Sequence, residues 1–340
     1  MSRQQYTFWY GRGLSTDQRN NESRVVDWLQ QDVRSLQQNT MITPLYIDGA
    51  GWDDRRHPPN TKLGSLRRRG ARSLLQALGD NTSVTKFLFQ NATLDENLDR
   101  ALTQAMAANQ SLESVSFRNL TSSNTSNQNN VAAAATTPRR YALPATVFGR
   151  HNANLRTLHL SNVLLDAAAC DSLARQLRDP QSQLATLTLQ NVLIATDGGL
   201  EQVLTALTTP CTQLTTLKLI NMMVPQEQQQ QQQQQQEDDE QQEDDNSNNK
   251  ALIHRWLRAL VGNRSITTLH LEGMQLDATD APDLAALLQT NHSTLQQLSL
   301  RRNLLTAPAL RTMFFATTTN DEQQQQQQQQ NDPQTPQHQF

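Results

Sequence analysis

The 340-residue sequence predicts an α/β fold in which one small unit is repeated and stacked into a solenoid. Three observations lead to this prediction. A leucine pattern recurs every 28–30 residues, a helical periodicity follows each copy, and inserted segments account for the longer intervals. A single unit of this size cannot bury its apolar face alone, so neighbouring units must stack around one continuous core.

The leucine pattern forms the first half of each unit. In one clear copy Leu155, Leu158, Leu160 and Leu165 recur at fixed offsets, with Asn162 between the last two. The other clear copies begin at Leu184, Leu214, Ile266 and Leu295, two earlier copies begin at Val84 and Leu112, and a weaker one begins at Ile42. These eight copies predict about eight stacked units.

The second half of each unit has the periodicity of a helix. Apolar residues are spaced i, i+4, which places both side chains on one helix face. The pairs are Leu74/Leu78, Leu102/Met106, Leu173/Leu177, Val203/Leu207, Trp256/Leu260 and Leu284/Leu288. An Asn or Pro follows three residues later and marks the end of the helix. The unit that begins at Leu112 fits least well.

These motifs resemble the leucine-rich repeat, whose pattern is L-x-x-L-x-L-x-x-N/C-x-L. The resemblance covers roughly residues 24–315, and the unit length is that of the ribonuclease-inhibitor-like subfamily. It implies a horseshoe with a concave parallel sheet and outer helices. A first helix around Trp28 is expected to cap the open N-terminal end. The last helix carries apolar residues such as Leu310 and Phe314 without a cap, so a weak end-to-end dimer is an alternative at that end.

The sequence departs from the family pattern at the ninth position of the unit. Asn or Cys is usual there, but only Asn303 fits, and the other units carry apolar residues such as Val163. An asparagine stands one place earlier instead: Asn91, Asn119, Asn162, Asn191 and Asn221. We favour an arrangement in which the apolar residue points inward, because buried Val and Met need no polar partner, and the asparagine lies at the rim. The alternative is a local shift that turns the asparagines inward as a hydrogen-bonded ladder.

Low-complexity segments interrupt and end the repeats. Inserts at 121–137 and 226–249 and a Gln-rich tail at 316–340 contain too few apolar residues to offset the entropy lost on ordering, so we expect them, and residues 1–23, to be flexible or disordered. Eight acidic residues of the 226–249 insert account for the net charge of −3, since the remainder carries +5. This acidic insert either stays solvated or lies over a basic surface, where it competes with an acidic partner for binding. The polyglutamine runs favour a eukaryotic source.

No motif in the sequence indicates catalysis or cofactor binding. Gly-rich phosphate loops and the Gly-x-Ser-x-Gly nucleophile motif are missing, and two cysteines, Cys170 and Cys211, do not make a disulfide framework. The near-neutral charge argues against nucleic-acid binding. Without a signal-like or membrane-spanning segment, the protein is expected in the cytoplasm, with the nucleus as the alternative.

The sequence therefore predicts a non-enzymatic protein–protein recognition scaffold without cofactor or metal. The alternative is a regulatory subunit of an enzyme, such as a GTPase activator or a ubiquitin-ligase substrate receptor, by analogy of fold. Recognition is expected on the concave face and on the rim where the inserts lie. The candidate partner-binding residues are Trp52, Arg55, Arg56, Arg118, His159, Lys218, His270, Arg301 and Arg302. Trp52 equally fits the eleventh core position, and His159 and His270 are three strands apart, too far to share a metal ion.

Overall fold

A computed structural model describes the α/β architecture of the chain. It covers residues 22–41, 44–49, 62–123, 140–149, 152–208, 213–222, 244–291 and 294–314. An eight-stranded parallel sheet runs through these residues, and each strand pairs with the next one along the chain. The strands are β1 (Leu45–Asp48), β2 (Lys86–Gln90), β3 (Ser114–Arg118), β4 (Thr157–Ser161), β5 (Thr186–Gln190), β6 (Thr216–Ile220), β7 (Thr268–Glu272) and β8 (Gln297–Ser299).

Helices follow the strands and pack against one another in chain order. They are α1 (Glu22–Gln37), α2 (Lys62–Gly79), α3 (Glu96–Ala108), α4 (Ala167–Arg178), α5 (Asp197–Thr208), α6 (Asp244–Val261) and α7 (Ala281–Asn291). Residues 307–314 form a last helical segment. Asp95 caps α3 by accepting from Leu98 N at 2.8 Å, which satisfies one of the free N–H groups of the first turn.

The core lies between the sheet and the helices. Strand residues alternate in orientation, so the apolar residues at the second and fourth place of the five-residue strands face the helices. In β4 these are Leu158 and Leu160, both fully buried, and in α4 the predicted pair Leu173 and Leu177 meets them from the other side. The predicted α/β fold with a parallel sheet is thus confirmed, and its repeated strand–helix units are compatible with a solenoid.

The unit that begins at Leu112 differs from the rest. A single turn of 3-10 helix, Ala145–Phe148, stands where the units on either side have the α-helices α3 and α4, of 13 and 12 residues. Val147 and Phe148 of this turn are buried and supply the apolar contact between α3 and α4. The poor helical pattern of this unit in the sequence therefore corresponds to a shortened helix.

Asparagines at the helix ends join neighbouring units. Asn109, at the end of α3, is completely buried. Its Nδ2 donates to the Leu78 and Asn81 carbonyl oxygens of the preceding unit at 2.6 and 2.8 Å. Its Oδ1 accepts from Ser111 N and Leu112 N at 2.9 and 3.1 Å, where the next strand approaches. The same arrangement recurs at Asn81, Asn263 and Asn291, whose Nδ2 atoms each donate to a carbonyl of the preceding unit.

The structure decides the orientation at the ninth position. The apolar residues there are buried: Ala92, Leu120, Val163, Val192, Met222 and Met274. The preceding asparagines lie outside the core in the left-handed backbone region, with φ between 49° and 53°. Asn tolerates this conformation better than most residues, which explains why it stands there. The favoured inward orientation of the apolar residue is confirmed.

Asn303 is the one ninth-position residue that follows the family pattern. Its Nδ2 donates to Leu271 O at 2.6 Å, and its Oδ1 accepts from Met274 N at 2.9 Å, so it satisfies backbone groups of the neighbouring unit. Where the ninth residue is apolar, hydrogen bonds between backbone groups join the neighbouring units instead. Leu193 N donates to Val163 O at 3.0 Å between two short strands, Leu164–Leu165 and Leu193–Ile194.

The two ends of the sheet are covered differently. Leu36 of α1 is fully buried against the first unit, whereas the Trp28 side chain lies outside the described residues. At the other end Leu304 and Phe314 are 67% and 54% exposed, although Met313 is buried. None of the helices in the described part of the chain is both long enough and apolar enough to span a lipid bilayer.

Candidate recognition surface

One face of the eight-stranded sheet is not covered by the described helices, and we call it the open face. Its side chains form rows across the strands, in which each residue pairs in register with its neighbour on the next strand. The central row is Tyr46, Leu88, Ser116, His159, Thr188, Lys218, His270 and Ser299. The row toward the strand ends is Asp48, Gln90, Arg118, Ser161, Gln190, Ile220 and Glu272. Most of these side chains are half-buried by their neighbours.

The carboxylates of the open face lie toward the two ends of the sheet, and both are hydrogen-bonded. On β1, Asp48 accepts from Gln90 Nε2 at 3.0 Å and from Asn91 Nδ2 at 3.1 Å. On β7, Glu272 Oε1 lies 3.0 Å from His270 Nδ1 and accepts from Ser299 Oγ at 3.0 Å. The hydrogen bond from His270, with that from Ser299 and the nearby charge of Arg301, holds the pKa of Glu272 below its usual value.

The middle of the open face carries a histidine between two cations. Arg118 donates from Nε to Ser116 Oγ at 3.0 Å, and its NH2 lies 3.5 Å from His159 Nδ1. Desolvation by burial, together with the charges of Arg118 and Lys218, lowers the pKa of His159 to about 4. His159 is therefore neutral at pH 7, and its Nε2 is buried without a hydrogen-bond partner among the described residues.

The rim at the carboxyl ends of the strands carries a ladder of amide side chains. Asn91 donates to Asp48 Oδ1, Asn119 donates to Asn91 Oδ1 at 2.8 Å, and Asn162 and Asn191 each donate to the asparagine before them. Arg140 closes the ladder by donating to Asn191 Oδ1 at 3.0 Å and to Asn191 O at 2.9 Å. Four of the five asparagines thus form a hydrogen-bonded ladder, as in the second alternative, but the ladder lies on the rim and not in the core.

The structure brings together four of the predicted partner-binding residues. Arg118, His159, Lys218 and His270 all project from the open face. Arg301 and Arg302 are exposed in the turn after β8. Trp52, Arg55 and Arg56 lie outside the described residues, as do Cys211, most of the inserts at 121–137 and 226–249, residues 1–21 and the tail from residue 315.

Sequence reasoning missed Asp48 and Arg140, the two ends of the rim ladder. The Asn residues one place before the ninth position were the only signal of this ladder, and they do not indicate which charged residues end it. Cys170 of α4 is buried in the core. Burial, with the nearby charge of Asp166, raises the pKa of its thiol to about 12, so it is held in the protonated form.

The described part of this surface carries no cluster of metal-ligating side chains. Among the described residues no group of three or more His, Cys, Asp or Glu is placed to hold a metal ion. His159 and His270 are three strand steps apart, about 14 Å at the usual strand spacing. A groove of about 700 Å³ lies instead in the helix layer, beside the shortened helix, where Phe148, Asn152 and Gln176 line it.

Comparison with known proteins assigns no class to the chain. No protein-family model matches it, and no curated protein matches it. The architecture and the open face therefore carry the functional argument.

Proposed function

We propose that the chain is a leucine-rich-repeat protein of the ribonuclease-inhibitor-like type that recognises a partner protein and has no catalytic activity of its own. The repeated pattern from Val84 to Leu305 supports the family, together with strands that follow one another in chain order and helices between them. The proposed horseshoe would place the open face on its concave side and the inserts at 121–137 and 226–249 on its rim.

The observation that carries the proposal is the open face itself. It extends over eight strands, and most of them present short polar side chains such as Ser114, Thr186 and Thr216 among a few charged ones. A partner can approach these residues closely, because the helices of the described chain lie on the other side of the sheet. Extended surfaces of this kind suit protein recognition better than they suit a small molecule, which needs a concave pocket.

A steric block in the middle of the open face tests the proposal. Thr186 on β5 is half-buried, and no hydrogen bond of its hydroxyl is found within the described chain, so Thr186→Arg would add a long side chain there without removing an internal bond. Gln202→Arg adds the same charge on the exposed outer side of α5 and is the matched control. Both variants should unfold at about the temperature of the unmodified protein.

The readout is affinity capture from the native source with identification by mass spectrometry. A discrete protein that is captured by the unmodified chain and by Gln202→Arg, but lost with Thr186→Arg, supports recognition on the open face. Retention of that protein by Thr186→Arg would place recognition elsewhere, and the failure to capture any specific protein would argue against the scaffold function.

A further inference from the structure

We infer that the middle of the open face binds an acidic segment of a partner protein, with carboxylates held by Arg118 and Lys218. This inference rests on the proposed recognition function and specifies the chemistry of the partner. It concerns the four central strands, β3 to β6, whose open-face side chains are all described.

The charge of these strands is of one sign. Arg118 and Lys218 are the charged side chains that β3 to β6 present on the open face, and neither has a carboxylate partner within the described chain. The carboxylates of Asp48 and Glu272 lie outside this region, and their neighbours already bond to them. A complementary partner must therefore bring its own negative charge to this part of the surface.

Both cations have donors available to a partner. No hydrogen bond or ion pair of Lys218 Nζ is found among the described residues. Arg118 directs its Nε to Ser116 and one terminal nitrogen toward His159, so its other terminal nitrogen is left to donate outward. Hydrogen bonds between such groups and carboxylates are stronger than those between neutral groups. Ser116 also holds the Arg118 side chain in place, which reduces the entropy that it would lose on binding.

The separation of the two cations sets the spacing of the acids. Arg118 and Lys218 lie three strand steps apart, about 14 Å, and two residues apart along the strand direction, about 7 Å, so their Cα atoms are about 16 Å apart. In an extended peptide, residues i and i+4 project from one face about 13 Å apart, whereas i and i+2 are only about 7 Å apart. Because both side chains are long, they can reach a pair of acids spaced i, i+4.

His159 provides an internal reporter of the bound acid. The groups that face it are Arg118 from β3 and Lys218 from β6, while β5 contributes the uncharged Thr188. Burial and both charges disfavour protonation of His159 in the free protein. A bound carboxylate at either cation offsets that charge, so the pKa of His159 should rise when an acidic segment binds, whereas an uncharged segment adds only burial and should not raise it.

The experiment titrates the full chain, with its histidines labelled for NMR, with the peptide acetyl-Ser-Glu-Ser-Thr-Ser-Glu-Ser-amide. Two control peptides carry Gln in place of both Glu, or the two Glu at i, i+2. We expect the first peptide to bind the unmodified protein and to raise the pKa of His159 by about one unit. It should bind about tenfold more weakly to the Arg118→Gln/Lys218→Gln variant, since each exposed ion pair contributes a few-fold to the affinity. Arg100→Gln/Arg175→Gln removes the same charge from the helix layer and should bind as the unmodified protein does.

Several results would overturn the inference. Equal binding of the Gln peptide would exclude recognition of charge, and equal loss in the Arg100→Gln/Arg175→Gln variant would indicate only long-range attraction. Tighter binding of oligothymidylate to the same two residues would identify a nucleic acid as the ligand. If Thr186→Arg loses a captured partner that Arg118→Gln/Lys218→Gln retains, this inference fails while the proposed function stands. If both variants retain it, this inference fails and recognition lies elsewhere on the protein.

Discussion

Replacing Asn109 by Ala tests whether the buried asparagines at the helix ends join neighbouring units. The change deletes two donated and three accepted hydrogen bonds, all between 2.6 and 3.2 Å, in a position that solvent does not reach. Two N–H groups before β3 lose their acceptor, whereas Leu78 O still accepts from Asn81 N and Asn81 O still accepts from Ser111 Oγ. We therefore expect a decrease of about 3 kcal/mol in the free energy of unfolding, since each unsatisfied buried group costs about 1–3 kcal/mol and two N–H groups lose their partner.

The assay is urea unfolding followed by circular dichroism, with Asn119→Gly as the control. Asn119 makes two side-chain hydrogen bonds in the rim ladder, but it is exposed, so water replaces those bonds, and Gly retains the left-handed backbone. This control should lose less than about 1 kcal/mol, the usual net contribution of an accessible hydrogen bond. A loss below 1 kcal/mol for Asn109→Ala, or equal losses for the two variants, would refute the proposed role of the buried asparagines.

Three further predictions follow from single side chains. Burial raises the pKa of Asp32 in α1 to about 7, above the value near 4 expected when the chain is unfolded, so its ionisation opposes folding and stability falls as the pH rises from about 4 through 7. Asp32→Asn should leave the free energy of unfolding almost unchanged at pH 4 and raise it by about 2–4 kcal/mol at pH 8, because each unit of pKa shift corresponds to about 1.4 kcal/mol. Urea unfolding at the two pH values measures this difference, and equal gains at both would contradict the assignment. At position 162, where φ is 53°, Gly should be more stable than Ala by about 1 kcal/mol in thermal unfolding. Both variants lose the hydrogen bonds of the Asn162 side chain in the ladder, but only Ala is strained in the left-handed region. An Ala variant as stable as the Gly variant would count against that explanation. The buried Cys170 thiol should resist alkylation at pH 8 until the protein is unfolded in urea, as seen by peptide mass spectrometry, whereas rapid labelling of the folded protein would show that it is accessible.

The sequence by itself determined the repeated unit and its two halves. Leu158 and Leu160 indicate the face of a strand that is buried, and the pair Leu173 and Leu177 indicates the matching face of a helix. These patterns are local, because the periods of strands and helices are set by backbone geometry within a few residues. The four candidate residues on the open face were predictable for the same reason, since they alternate with core leucines.

Only the tertiary structure decided how the units meet. Asn119 and Asn162 are 43 residues apart in the chain yet adjacent on the rim, and Arg140 reaches Asn191 across 51 residues. The low pKa of His159 likewise combines its burial with the charge of Arg118 on the adjacent strand and of Lys218 two strands away. Such contacts depend on which strands become neighbours and in which register, and no local pattern of residues encodes a contact between residues so far apart in the chain. The period of the repeat therefore predicted the strands and helices, while the stacking of one unit on the next determined the ladder on the rim and the charge in the middle of the open face.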